Sequence, residues 1–233
     1  MSRTRIFKVS EMTESDMLSA AHALDEGSPC TLLFLDNSSA KETAVPLIHS
    51  SYTLESSVYG IGTGAFCEES VLRIYQIKAR PATSPLQILT GSLAQAEAVA
   101  QFSAGAERLA QTYWPGAITI ILPPTAEGKS LTRGFKGLGL RVPGNPFLVG
   151  LLSQMSHPMA CTSANLHGQP VLTDEETILK TFDGKVDYIF LGGQLSPTAS
   201  SVVDLTEEPR LLREGGVPRA DLEKTLGQAL TVK

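Results

Sequence analysis

Apolar residues in this chain fall into two patterns that alternate from end to end, amphipathic stretches at helical spacing and short, nearly unbroken apolar runs. The helical spacing predicts helices over residues 14–26, closed by Gly27, and over 68–78, 92–112, 146–155, 173–182 and 218–229. The apolar runs predict buried strands at 31–35 and near 86–90, 117–122, 138–142, 158–162, 187–191, 201–205 and 209–213. These strands are too many for a simple doubly wound sheet, and several follow one another with no helix between them. The runs at 201–205 and 209–213, parted only by the turn around Thr206, Glu207 and Glu208, call for antiparallel pairing. The expected fold is therefore α/β, an open twisted mixed sheet with flanking helices. Gly60, Gly62 and Gly64 miss the spacing of a dinucleotide-binding loop and read as tight turns after a strand, where positive φ is needed. Residues 36–50 carry polar and proline signals. With no internal repeat or low-complexity linker, the expectation is one domain over residues 1–233.

Composition narrows the class. A chain of 233 residues, 42% hydrophobic and 18% charged, can bury a substantial core. No apolar run approaches the roughly 20 residues a bilayer span needs, and Met1-Ser2-Arg3-Thr4-Arg5 is not followed by a signal-type apolar stretch. No membrane association and a cytoplasmic location are expected. Cys30, Cys67 and Cys161 form an odd, widely spaced set without a C-x-x-C pair, which argues for reduced thiols and against a disulfide framework or zinc site. The four histidines, His22, His49, His157 and His167, show no ligand spacing. A net charge of −5 confines any cationic function to a local patch.

Two separated segments make chemical sense together. Lys78-Ala79-Arg80-Pro81, followed by Ser84-Pro85-Leu86, brings two cations to the end of a predicted helix. Thr162-Ser163-Ala164-Asn165, followed by Gly168 and Pro170, offers clustered hydroxyl and amide groups after a predicted strand. Taken singly, these are also a solvated helix end and an ordinary strand-to-loop turn; taken together they make a phosphate grip. Gly128-Lys129-Ser130 has only the tail of a P-loop, with Pro123 where its first glycine belongs. Lys129 and Lys136 read as a solvated face.

These segments occur in order with Trp114-Pro115-Gly116 before the run at 118–122, Arg141-Val142-Pro143, Ser200-Ser201-Val202-Val203-Asp204 and Leu212-Arg213. Over roughly residues 52–216 the ordered set resembles the YrdC/Sua5 family. The resemblance implies an open twisted sheet of the YrdC/RibB-like kind around a positively charged cavity. It also implies synthesis of threonylcarbamoyl-adenylate, the first step towards N6-threonylcarbamoyladenosine in tRNA. L-Threonine, bicarbonate or CO2, and ATP would be the substrates, with Mg²⁺ bound through the nucleotide phosphates. By the same resemblance Lys78 and Arg80 would be catalytic, and Arg80, Ser84, Asn165, Thr173 and Arg213 would contact ATP. Ser57, Arg141, Ser163 and Ser200 would contact L-threonine, Arg141 through its carboxylate. The downstream tRNA threonylcarbamoyl-transfer machinery would be the partner.

The chain departs from the family pattern in three places. Leu54-Glu55-Ser56-Ser57-Val58-Tyr59-Gly60 lacks the usual proline and moves the acid by one position, while Leu89 and Asn145 stand where many members have histidine. The Ser-x-Asn motif, at which the YciO-like branch departs, is intact at Ser163 and Asn165. The resemblance also implies that residues 36–50 are a loop or hairpin insertion, because in the family the strand after the first helix runs almost directly into the motif that here reads Leu54 to Gly60. The length resembles the short, single-domain form. Two alternatives stay open here: a non-catalytic RNA-binding or ribosome-associated module, and a carbamoyl-transfer enzyme acting on another carbamoyl donor.

Overall fold

The computed structural model of the chain describes residues 4–25, 32–34, 59–192 and 199–232. In chain order the elements begin with β1 (Arg5–Lys8), α1 (Glu14–Asp25), β2 (Leu32–Phe34), β3 (Gly60–Gly64), α2 (Glu68–Lys78) and β4 (Gln87–Leu89). Next come α3 (Leu93–Val99), α4 (Ala104–Tyr113), β5 (Ile118–Leu122), β6 (Leu138–Arg141), α5 (Pro146–Gln154) and β7 (Met159–Ser163). The last are α6 (Glu175–Phe182), β8 (Tyr188–Leu191), β9 (Ser201–Asp204), β10 (Arg210–Arg213), α7 (Arg219–Leu226) and β11 (Thr231–Val232). Short 3₁₀ turns lie at Val9–Glu11 and Gly128–Thr132.

The described strands form one mixed sheet in the order β1-β8-β2-β3-β7-β4-β6-β5-β9-β10-β11. β4 runs parallel to β6 and antiparallel to β7, while β5 is antiparallel to β6 and parallel to β9. β9 and β10 pair antiparallel, as their short connection requires. Alternation within the strands decides what covers each face. On β8, Tyr188 and Phe190 pack with α1 and α5, whereas Ile189 and Leu191 pack with Ile74 of α2 and Ile178 and Phe182 of α6. On β5, Ile118, Ile120 and Leu122 join Leu109, Leu222 and Leu226 of α4 and α7 in the largest apolar cluster. Thr119 and Ile121 point the other way, as does Gly139 of β6, and that uncovered face floors a cleft.

The structure departs from the expected elements in three ways. The single helix predicted over 92–112 is two, because Gln101 N donates to the Pro123 carbonyl at 2.8 Å and Ser103 then caps α4 by accepting from Ala106 N. β1, β3 and β11 are additional strands, and residues 36–50 lie outside the described part of the chain. Gly60, Gly62 and Gly64 are not turns but a buried strand, and the described glycines with positive φ are Gly134, Gly168, Gly184 and Gly227. Two of the β3 glycines serve close approach: a Cβ on Gly62 would lie 2.6 Å from Met159 Sδ, and one on Gly64 would lie 2.3 Å from the Leu24 carbonyl oxygen.

The contact at Gly64 predicts a position-specific cost. A backbone oxygen cannot yield as a flexible side chain does, so Gly64→Ala should lower stability by about 1–3 kcal/mol. At Gly139 a Cβ would meet side-chain atoms only at 3.4 and 3.8 Å, and Gly139→Ala should change stability by less than about 0.5 kcal/mol. Urea midpoints for the two variants check this; equal midpoints would contradict the close-packing account of β3.

Candidate active site

The site begins where α2 ends. Ala79 closes the helix in the left-handed region at φ 49°, and the Ala79 and Arg80 N–H groups return to carbonyls of the last turn. Tyr75 Oη donates to the Ser84 carbonyl at 2.7 Å and pins the loop that follows. This turn sends Lys78 and Arg80 to different places. Lys78 goes inward and is only 2% exposed; its Nζ donates to the Ser163 carbonyl and, at 3.1 Å, to Asn165 Oδ1. Arg80 faces the cleft, with Nη1 on Thr162 Oγ1 at 2.7 Å and Nη2 on the Pro85 carbonyl at 2.9 Å.

At the end of β7, Ser163 Oγ donates to Asn165 Oδ1 at 2.6 Å, and Asn165 Nδ2 donates to the Leu166 and Gln169 carbonyls. The His167 N–H returns to the Lys78 carbonyl at 2.9 Å. The two motifs are thus one structural unit. Arg141 ends β6 nearly buried, its Nε on the Gly116 carbonyl at 2.8 Å. Arg213 ends β10 and grips Ser200, with Nε on its carbonyl at 2.8 Å and Nη2 on its hydroxyl at 3.2 Å.

The cleft so framed has a volume of about 720 Å³. Arg80, Arg141, Ser163, Ser200 and Arg213, all sequence candidates, line it together. Lys78 and Asn165 are not among the lining residues and support that wall from behind; Ser84 and Thr173 are not among them either. Ser57 lies outside the described residues. Arg73 is also elsewhere, paired with Asp187 at 2.6 Å. Of the family-histidine positions, Leu89 is buried in the core, and Asn145 caps α5 by accepting from Leu148 N at 2.9 Å. Sequence reasoning missed Gln87, Thr119 and Arg210 as lining groups; Lys136, read as solvated, is exposed as expected and stands at the border of the cleft. The available signal for the first two was a polar residue inside an apolar strand run.

Charge in the cleft is lopsided. Among the described residues, Arg80, Lys136, Arg141, Arg210 and Arg213 line it, against the single carboxylate of Asp204. Burial pushes Asp204 upward, but hydrogen bonds from Thr206 and then Arg210 outweigh it and hold the carboxyl below its usual range. Arg210 and Lys136 are neutralised by Asp204 and Glu207, at 2.8 and 2.6 Å. Arg80 and Arg213 bond to neutral oxygens, and among the described residues neither has a carboxylate partner. Desolvation, then the Arg141 charge, lowers the Arg213 pKa, although a guanidinium remains charged at neutral pH. A polar cleft carrying uncompensated guanidinium charge suits an anionic ligand.

The model of the family described as Telomere recombination, Sua5_yciO_yrdC, matches residues 55–215. The chain belongs to the Sua5/YciO/YrdC family. It is 37% identical over 176 residues to threonylcarbamoyl-AMP synthase of Pyrococcus abyssi, covering 74% of this chain and 52% of that one. The Bacillus subtilis threonylcarbamoyl-AMP synthase is 34% identical over 179 residues, covering 73% and 51%. The chain therefore spans about half the length of these two relatives. The structure of P. abyssi Sua5 complexed with L-threonine superposes with a TM-score of 0.81 at 30% identity, covering all of this chain and 63% of that one. These family relationships agree with the fold and with the motif order read from the sequence.

Lys78 gives the site a pH-dependent stability. Burial, then the Arg80 charge, pushes its amine down to about 8 from the ordinary 10.5. Between those values the unfolded chain holds a proton that the folded chain has lost, so stability rises with pH across this window, and the burial penalty is largest below it. Lys78→Met removes the effect. The stability of wild type relative to Lys78→Met should rise by on the order of 2 kcal/mol between about pH 7 and about pH 9.5. Denaturant titrations at both pH values test this, and parallel pH profiles would contradict it.

Proposed function

We propose that this chain is an L-threonylcarbamoyladenylate synthase, a nucleotidyltransferase that forms threonylcarbamoyl-AMP and pyrophosphate from L-threonine, bicarbonate or CO2, and ATP. The observation that carries this reading is the convergence of Arg80, Arg141 and Arg213 on one cleft with the hydroxyls of Ser163 and Ser200. The names of the relatives, and the L-threonine complex of P. abyssi Sua5, support it.

The chemistry needs no protein nucleophile. Threonine's amine attacks CO2, forming the N–C bond and releasing a proton. An oxygen of the resulting carbamate then attacks the α-phosphorus of ATP; the new O–P bond forms as the α–β bridge breaks, and pyrophosphate leaves with the electron pair. Such a step depends on positioning and on neutralising phosphate charge. Arg80 and Arg213 are suited to the phosphates, and Arg141, nearly buried at the end of β6, to the amino-acid carboxylate. Lys78 and Asn165 act behind the wall by holding Ser163 in place. Mg²⁺ enters as part of the nucleotide substrate, since Asp204, the one carboxylate lining the described cleft, is occupied by Arg210 and Thr206. The tRNA threonylcarbamoyl-transfer machinery would consume the adenylate in the cytoplasm. The intact, internally bonded Ser163-Ala164-Asn165 segment favours a catalytic role over a purely RNA-binding one.

Pyrophosphate release from ATP should require both L-threonine and bicarbonate, and release that ignores either would overturn the proposal. Arg141→Ala should raise the L-threonine concentration needed for half-maximal rate by roughly tenfold or more, the loss expected for a charged hydrogen bond, while ATP binding is retained.

A further inference from the structure

The cleft floor carries a row of hydrogen-bonded polar side chains running from β4 towards β10; its far end is Ser200 and Arg213 of the motifs above, and its near members, Gln87 and Thr119, are used by neither the motifs nor the reaction. Gln87 Nε2, on β4, donates to Thr119 Oγ1, on β5, at 2.6 Å. Thr119 Oγ1 lies 2.9 Å from Ser200 Oγ, and Ser200 Oγ accepts from Arg213 Nη2 at 3.2 Å. Gly139 of β6 is paired with Gln87 of β4 on one side and Ile121 of β5 on the other, so the row passes β6 at this glycine. All these residues line the cleft.

With Nε2 committed to Thr119, the Gln87 amide turns its oxygen towards Cys161, whose thiol lies 4.0 Å away. A thiol is a weak donor, so Oε1 keeps capacity for a hydrogen bond from a ligand. Leu89, two residues along the same face of β4, is packed into the apolar core and offers no polar atom. Within this strand Gln87 is therefore the polar determinant facing the cleft.

We propose that Gln87 is a specificity-determining residue whose Oε1 accepts the side-chain hydroxyl of the bound amino acid. This rests on the reading that the cleft takes L-threonine. A neutral hydroxyl fits better than an ammonium group. Gln87 is held in a row of neutral groups, and Arg80, Arg141 and Arg213 line the same cleft, so a cation on the floor would be repelled. A site that offers an acceptor to a hydroxyl rejects the methyl isostere, because its own acceptor is left unpaired.

The test compares kcat/KM for L-threonine and L-valine, read by pyrophosphate release, in wild type, Gln87→Leu and Gln87→Glu. Wild type should prefer threonine. Gln87→Leu should reduce the threonine-to-valine ratio by roughly tenfold or more, through loss on threonine with valine little changed. Gln87→Glu keeps an acceptor, with Thr119 reversing to donate to it, and should retain the preference. Equal losses on both amino acids in Gln87→Leu would assign the residue to the backbone of the substrate or to general packing and overturn the proposal. So would an unchanged ratio, or a Gln87→Glu variant that behaves like Gln87→Leu. A wild type that uses both amino acids equally overturns the role of Gln87 and leaves the synthase reading standing. A wild type with no amino-acid-dependent release overturns the synthase reading itself.

Discussion

Lys78 closes α2 with its amine inside the protein, donating to the Ser163 carbonyl and to Asn165 Oδ1, and this junction sets where the two motif segments, 78–86 and 162–170, lie. The contact joins residues 85 positions apart, between the end of a helix and the end of a strand. Burial favours the neutral amine, which has two N–H donors for two acceptors, so the pair of bonds survives deprotonation. Because Lys78 turns inward, Arg80 two residues later turns out to the cleft, and Thr162 on β7 receives it. The Asn165 amide then ties down the loop through Leu166 and Gln169. Removing the amine would leave the Ser163 carbonyl and the Asn165 side chain short of a partner at the wall of the site.

The second constraint is charge. The protein is acidic overall, with a net charge of −5, yet Arg80, Arg141 and Arg213 line one concavity of the sheet. Arg80 and Arg213 are held by neutral oxygens, so their hydrogen-bond geometry is fixed while their charge is kept for a ligand. A low-dielectric floor of packed strands strengthens that field relative to bulk water. Guanidinium groups with preset orientation suit phosphate and carboxylate, which is the combination a nucleotide and an amino acid would bring.

Much of this was legible in the sequence, for identifiable reasons. The longer helices announce themselves by amphipathic spacing, and the turn at Thr206 to Glu208 implied the antiparallel β9–β10 pair that forms. Arg80, Arg141, Ser163, Ser200 and Arg213 lay in ordered motifs and do line one cleft. β3 was not legible, since Gly-Ile-Gly-Thr-Gly is a poor strand by propensity and is strand only because Leu24 and Met159 demand close approach. The inward direction of Lys78 is likewise set by the turn at Ala79, not by composition. The Gln87–Thr119–Ser200 row arises only when segments 32 and 81 residues apart are brought side by side, and no local pattern reports that.

The central claim, that guanidinium groups held by neutral partners make this cleft an anion site for ATP, is tested most directly by nucleotide titration of three arginine variants. Arg80→Ala and Arg213→Ala should each weaken ATP binding by roughly tenfold or more, as expected for loss of charged hydrogen bonds, while Arg73→Ala, whose side chain pairs with Asp187 away from the cleft, should bind as wild type does. Wild-type affinity in both Arg80→Ala and Arg213→Ala would contradict the account.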